Sequence, residues 1–250
     1  MVKIIMSGCC GHMGSVITDI VSKDNECEIV AGVDPFDNGK MPYPVFSNIK
    51  AVNVEADVVI DFSSPKALDD LLAVSEEKKL PVVLCSTGYT KEQFDQINEA
   101  SKRCTLLRSA NMSLGINTII KLLKVATEVF AKDYDIEIVE KHHRLKKDAP
   151  SGTALALADA INEVLNNEYE YVYDRSQRSE MRPDKEIGIS AVRGGTIVGE
   201  HEVIFAGRDE VIEIKHTAYS KALFGNGAVK AAKFLAGKPA GMYNMQDVIG

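Results

Sequence analysis

A chain of 250 residues with 45% hydrophobic residues can bury one large or two small cores. Its 29 Lys and Arg against 36 Asp and Glu give a net charge of -7, which argues against general nucleic-acid or anionic-membrane binding, and no apolar run reaches membrane-spanning length. Five cysteines, odd in number and without CxxC pairing, fit a reducing cytoplasm.

Val2 to Met6 reads as a strand that enters a glycine loop directly, without a signal peptide. Gly8, Cys9, Cys10, Gly11, His12, Met13 and Gly14 form that loop, and Ser15 to Val21 the helix after it. The GxxGxxG spacing is a relative of GxGxxG, in which backbone amides and a helix N-terminus cradle a pyrophosphate. A second strand, Glu28 to Val33, ends in Asp34, twenty residues after Gly14, where a carboxylate can bond adenosine ribose hydroxyls. Asp34 is followed by Pro35 and Phe36 with no adjacent Arg, so NADH is expected over NADPH, although His12 and Lys40 are candidates to reach a 2′-phosphate.

Three more strands, Asp57 to Asp61, Pro81 to Leu84 and Cys104 to Arg108, run into polar turns. Ligands of open α/β sheets gather at such strand ends. Cys85, Ser86 and Thr87 in one turn, and Ser109, Ala110, Asn111 and Met112 in another, are therefore candidate cofactor contacts. Cys27 and Cys104 read as buried fillers, and Cys9 and Cys10 as loop residues.

Leu114 to Ala131 has helical spacing and leads into a second module. Asp135 to Glu140 reads as a strand that delivers the run Glu140-Lys141-His142-His143-Arg144-Leu145-Lys146-Lys147-Asp148-Ala149-Pro150-Ser151-Gly152-Thr153. His142 and His143 belong to the residue type that exchanges protons near neutral pH, and Lys146 is a cation for a carboxylate or a second proton donor. Apolar residues from Ala154 to Leu165 recur at helical spacing, so a helix starts at Pro150 to Thr153, where unpaired amides favour an anion. The combination suggests acid catalysis on a small dianion. Adjacent histidines on a strand face opposite ways, and no HExxH spacing accompanies them, so no metal site is expected.

A charged loop from Tyr171 to Lys185 follows, then strands at Ile187 to Val192, His201 to Phe205 and Val211 to His216, in mostly antiparallel or mixed pairing. Arg193-Gly194-Gly195-Thr196 is either a plain turn or a loop serving the site or a neighbouring subunit, and His201 and His216 read as sheet residues. Gly225-Asn226-Gly227 precedes a helix from Ala228 to Leu235.

With these pieces placed, the chain resembles the 4-hydroxy-tetrahydrodipicolinate (dihydrodipicolinate) reductase family. The resemblance spans nearly the whole length and is carried by Gly8 to Gly14, Asp61-Phe62-Ser63, Ser86-Thr87-Gly88, Ser109-Ala110-Asn111, Glu140 to Lys146, Asp148 to Thr153, Arg193 to His201 and Gly225 to Ala228. It implies an α/β fold: a Rossmann-type dinucleotide-binding domain from residues 1–113 and 218–250, plus a central α+β domain with a mixed sheet at 114–217. It also implies a homotetramer and hydride transfer from NAD(P)H to a cyclic, dicarboxylated imine. By the same resemblance His142 falls on the family's proton donor or acceptor and Lys146 on a proposed proton donor. His143, Gly152 and Thr153 fall on substrate carboxylate contacts, and Asp34 on the ribose contact. Cys9-Cys10 in place of a small pair, Met112 where Phe is common, and Cys85 before Ser86 depart from the family pattern and bear on the choice between NADH and NADPH. Two other classes stand beside it: a different dehydrogenase of a small acidic substrate, such as a semialdehyde dehydrogenase, which would need a placed thiol for its acyl chemistry, and a nucleotide sensor without catalysis, which would not need His142, His143 and Lys146.

Overall fold

Short apolar strands alternating with amphipathic helices give two compact units, Met1–Leu114 with Ala222–Gly250 and Gly115–Lys221, in a computed structural model that describes residues 1–173 and 175–250. In chain order come β1 (Val2–Ser7), α1 (His12–Val21), β2 (Cys27–Val33), β3 (Val45–Phe46), β4 (Val58–Asp61), α2 (Leu68–Lys78), β5 (Val82–Leu84), α3 (Lys91–Ala100), β6 (Thr105–Arg108) and α4 (Leu114–Phe130). They are followed by β7 (Asp135–His142), α5 (Gly152–Val164), β8 (Glu170–Val172), β9 (Glu186–Arg193), β10 (Gly199–Ala206) and β11 (Val211–Ala218), then α6 (Ala222–Leu235), β12 (Gly241–Tyr243) and α7 (Met245–Ile249).

The first unit holds a parallel sheet in the order β12-β6-β5-β4-β1-β2-β3. Both faces are covered, so its strands are apolar throughout and successive residues divide between two cores. Ile5, Val59, Val82, Leu84 and Leu106 pack with Leu68 and Leu71 of α2 and Ile97 of α3. Ile4, Met6, Val58, Ile60, Val83 and Leu107 pack with Ile17 of α1 and Ala228, Ala231 and Leu235 of α6. The strand order reverses between β1 and β4, which is the switch point where doubly wound sheets open a ligand crevice.

Two boundaries in this unit differ from expectation. The helix after the glycine loop begins at His12, three residues before Ser15, so the second half of the motif is already helical. Gly225-Asn226-Gly227 lies inside α6 rather than ahead of it. Close packing explains both glycines: a Cβ on Gly225 would come 2.8 Å from Ile20, and one on Gly227 would come 1.7 Å from the Met112 carbonyl oxygen.

The second unit holds a mixed sheet in the order β11-β10-β7-β9-β8, with antiparallel pairing at β11-β10-β7 and parallel pairing at β7-β9-β8. Ile136, Ile138, Ile187, Ile189, Val203 and Phe205 form one face, packed with Leu123 of α4 and with Leu157 and Ile161 of α5. The segment expected to be a loop from 171 to 185 starts inside a strand, because Tyr171 and Val172 pair with Ile187 and Gly188. Asp174 of that segment lies outside the described residues. Arg175 and Arg178 pair with the buried Glu186 of β9 at 2.5 and 2.7 Å.

Candidate active site

The strand carrying the histidine run reaches His142, two residues past the expected end. Side chains alternate along a strand, so Glu140 and His142 continue the buried face that begins with Ile136 and Ile138. Glu140 is fully buried, and its environment is built to hold a charge there. Oε2 lies 2.6 Å from His142 Nδ1, and Oε1 accepts the Ser151 backbone N–H at 2.9 Å. Arg193, paired with His142 across β7 and β9, donates through Nη1 and Nη2 to the two carboxylate oxygens at 2.7 and 2.6 Å. Burial alone would raise the Glu140 carboxyl, but the hydrogen bonds from Arg193, His142 and Ser151 outweigh it and hold the group below the usual carboxylate range.

His142 is 8% exposed, and since Nδ1 is engaged with Glu140, Nε2 is the ring nitrogen left to meet another partner. Gly199 leaves room at that edge: a Cβ there would come 3.0 Å from Nε2. His201 sits opposite Glu140 across β7 and β10, edge-on to the His142 ring at 5.1 Å. Its Nε2 is 2.9 Å from Ser151 Oγ, and burial, with the neighbouring His142, pushes its pKa down to about 4. His201 is thus a neutral member of the cluster, more than the sheet residue expected.

Ser151 caps α5 as anticipated, accepting the Ala154 N–H at 3.1 Å, while its own N–H is tied to Glu140. One carboxylate therefore orients both the His142 ring and the start of α5. A Cβ on Gly152 would meet nothing within 4 Å, so the first turn of α5 can be approached closely at Gly152. Lys146 pairs with Asp148 at 2.8 Å, and its N–H closes a turn on the His143 carbonyl. His143 is half-buried, with an Nδ1 that has no hydrogen-bond partner among the described residues. The 193–195 turn docks on this run, Gly194 N–H on the His142 carbonyl and Arg144 N–H on the Gly195 carbonyl.

In the first unit, Gly8 turns the chain at φ +78°, and a Cβ there would come 2.7 Å from the Phe62 carbonyl oxygen. The loops after β1 and β4 meet at the switch point only because Gly8 lacks a side chain. Gly11 stands at the N-cap of α1, which no side chain caps, so the first turn with His12 and Met13 keeps amides for an anion. Asp34 accepts the Cys10 N–H at 3.1 Å and the Phe36 N–H at 3.0 Å, and borders a cleft of about 470 Å³ together with Ser7, Gly8, Gly11 and Ser63. This set fits a dinucleotide by the chemistry of its donors.

Asp61, between the cleft-lining Ser7 and Ser63 in its hydrogen bonds, is fully buried. It accepts from Ser7 Oγ at 2.8 Å, Ser63 Oγ at 2.5 Å and Ser86 Oγ at 2.7 Å, and so ties the ends of β1, β4 and β5 together. Burial raises its pKa against those hydroxyls. Ser86 is thereby positioned, with Cys85 before it half-buried and Thr87 after it exposed. Ser109 and Ala110 follow β6 on the surface side, and Asn111 folds back to accept the Ser113 N–H at 2.8 Å. Cys9 and Met112 have side chains in the core, 0% and 5% exposed, so what they offer a nucleotide is main chain. Burial pushes the Cys85 thiol up, away from the thiolate that acyl chemistry would need.

Glu140, Arg193, Ser151 and His201 are thus network members outside the site residues that the motifs pick out. One signal was available: Ile136, Ile138, Glu140 and His142 share strand period, which makes Glu140 a buried acid in need of a cation.

Two family models match, "Dihydrodipicolinate reductase, N-terminus" over residues 2–112 and "Dihydrodipicolinate reductase, C-terminus" over residues 115–249. The 4-hydroxy-tetrahydrodipicolinate reductase of Caldanaerobacter subterraneus subsp. tengcongensis is 53% identical, with 100% of this chain and 98% of the relative covered. That of Clostridium tetani is 54% identical, over 100% and 97%. The structure of the dihydrodipicolinate reductase from Paenisporosarcina sp. TG-14 with dipicolinate bound superposes over all of both chains with a TM-score of 0.82 at 24% identity, a likeness of fold. Among the described residues no helix is long and apolar enough to cross a membrane.

Proposed function

We infer the reaction from the premise that this chain belongs to the dihydrodipicolinate reductase family: it reduces 4-hydroxy-tetrahydrodipicolinate with NAD(P)H to tetrahydrodipicolinate, in lysine and diaminopimelate biosynthesis. One hydride and one proton enter the ring and one water leaves. A bound dihydronicotinamide supplies the hydride. His12 and Met13 hold its pyrophosphate by main-chain amides in the loop that Gly8 and Gly11 shape, Asp34 holds its adenosine ribose, and the turns with Cys85, Ser86, Thr87 and Ser109 to Met112 its nicotinamide half. Asp34 is followed by Pro35 and Phe36 with no adjacent Arg to pair with a 2′-phosphate, which favours NADH over NADPH.

The protein supplies the proton and the charge complement. His142 gives a proton from Nε2, and Glu140 stabilises the imidazolium and fixes the ring. Gly152 and Thr153 hold one substrate carboxylate at the N-terminus of α5, His143 contacts it, and Lys146 holds the other or acts as a second donor. Two carboxylates would otherwise be repelled by an acidic protein. The first unit, Met1–Leu114 with Ala222–Gly250, serves as the dinucleotide domain expected at 1–113 and 218–250, and the assembly is a cytoplasmic homotetramer.

The observation that carries this reading is the single carboxylate of Glu140, which orients both the acid His142 and the anion-binding start of α5. A sensor that only binds nucleotide would have no use for that coupling. The test is turnover of NADH with the substrate generated from pyruvate and aspartate semialdehyde, in the native chain and in His142→Gln and Lys146→Ala. Loss of turnover with unchanged NADH binding supports the roles. Undiminished turnover in both variants removes them, and a native chain that binds NADH without turnover is a sensor.

A further inference from the structure

We propose that Cys9, Cys10 and Asp34 bind one soft divalent cation of the zinc and cadmium type, and that this cation and the dinucleotide exclude each other. Among the described residues, the two sulfurs and one Asp34 carboxylate oxygen all lie within 4.8 Å of one another. The two Sγ atoms are 3.8 Å apart. Two sulfurs bound to a tetrahedral zinc at about 2.3 Å stand roughly 3.8 Å apart, so the pair already has the spacing of one edge of such a site.

Neighbouring residues seldom aim their side chains at one point; here the tight turn at Gly8 and the first turn of α1 bend the chain enough to do so. The third donor is held in place by the Cys10 N–H on Asp34 Oδ2. Cys9 is packed against Gly32, where a Cβ would come 2.6 Å from its sulfur, so that donor is rigid. Cys10 and Asp34 are half-exposed and provide the way in. Thiolate pairs select soft cations over magnesium or calcium. On binding, each thiol gives its proton to solvent as its sulfur bonds the cation, Asp34 adds one oxygen, and water completes the tetrahedron.

The cation site stands on this geometry alone. The exclusion rests on the proposed reading of the glycine loop and Asp34 as nucleotide contacts, because the cation takes the carboxylate that would hold the ribose.

The experiment titrates the reduced, metal-free chain with cadmium chloride and follows the ultraviolet sulfur-to-cadmium charge-transfer band. The band should saturate at one equivalent and fall as NADH is added. Cys10→Ser should weaken cadmium binding by at least about tenfold, the lower bound even for losing a group that only supports a ligand. Asp34→Asn should weaken it while keeping the band, and Cys27→Ser should leave it intact. No saturable band in a chain that binds NADH, or a band unchanged in Cys10→Ser, overturns the site. A band that NADH binding does not displace leaves the cation site standing and overturns the exclusion together with Asp34 as the ribose contact.

Discussion

Glu140 Oε2 and His142 Nδ1 lie 2.6 Å apart, two positions along one face of β7, with Arg193 clamped on the same carboxylate. The arrangement engages Nδ1 and leaves Nε2 for the proposed substrate, and it offers a negative partner to an imidazolium. Glu140→Gln keeps the shape and removes the charge. We expect kcat to fall by about 10²- to 10⁴-fold, the span that a positioned acid contributes, with NADH affinity unchanged. Circular dichroism separates this from unfolding, which is a real hazard because an Arg left facing a buried amide is costly. An unchanged kcat in a folded variant removes Glu140 from the mechanism.

Arg193 tests the same cluster from its other side. Its guanidinium spans both Glu140 oxygens and also donates to the Asp148 carbonyl at 2.6 Å, which ties β9 to the segment leading into α5. Lysine carries the charge but not the planar fork. Arg193→Lys should therefore raise the substrate KM and lower kcat, whereas a purely electrostatic role for Arg193 would leave both near the native values. Steady-state kinetics with substrate varied at saturating NADH gives the answer.

His201 makes stability depend on pH. Its folded pKa of about 4 lies below the ordinary value of 6.5, so the unfolded chain takes up the proton first. The His201 contribution is complete above pH 6.5, declines as pH falls through that value, and stops declining near pH 4. The loss totals about 3 kcal/mol, from 1.36 kcal/mol per pKa unit. Glu140, held below the carboxylate range, adds its own loss only at more acidic pH. Urea unfolding at a series of pH values should show the decline in the native chain and a flatter curve in His201→Asn; equal slopes in the two would refute the assignment.

Much of this architecture is legible in the residues. The glycine loop, the strand ending in Asp34 and the Ser151 cap follow from local rules of period and capping, which act over a few residues. The Glu140 cluster draws on β7, β9, β10 and α5, whose pairing no local rule reveals. Hence His201 reads as an ordinary sheet residue, and Arg193 as part of a turn. Gly225-Asn226-Gly227 misleads for a related reason: glycines usually punctuate, but here they let one helix press on neighbouring chain.

Gly227→Ala follows from that contact. Its Cβ would lie 1.7 Å from the Met112 carbonyl oxygen, which is backbone, so α6 or the turn after β6 must move. Overpacking of this kind costs about 1–3 kcal/mol. The displaced turn carries Ser109 to Met112, so NADH affinity should fall along with the melting temperature. Thermal melts and fluorescence titration test both. A variant as stable as the native chain would show that the two segments adjust freely.

Asp34 sets the expected cofactor choice. It follows β2 at the rim of the cleft, and its oxygens already receive the Cys10 and Phe36 amides, which orient the carboxylate. A charged hydrogen bond to a ribose hydroxyl contributes about 1.5–3 kcal/mol, or roughly ten- to a hundredfold in affinity. Asp34→Asn should weaken NADH by that factor. It should weaken NADPH much less, because the carboxylate repels a 2′-phosphate and its removal offsets the lost contact. The ratio of kcat/KM for the two nucleotides in the native chain should favour NADH and shift toward NADPH in the variant. Equal losses for both would mean that Asp34 holds the loop through Cys10 and does not meet the ribose.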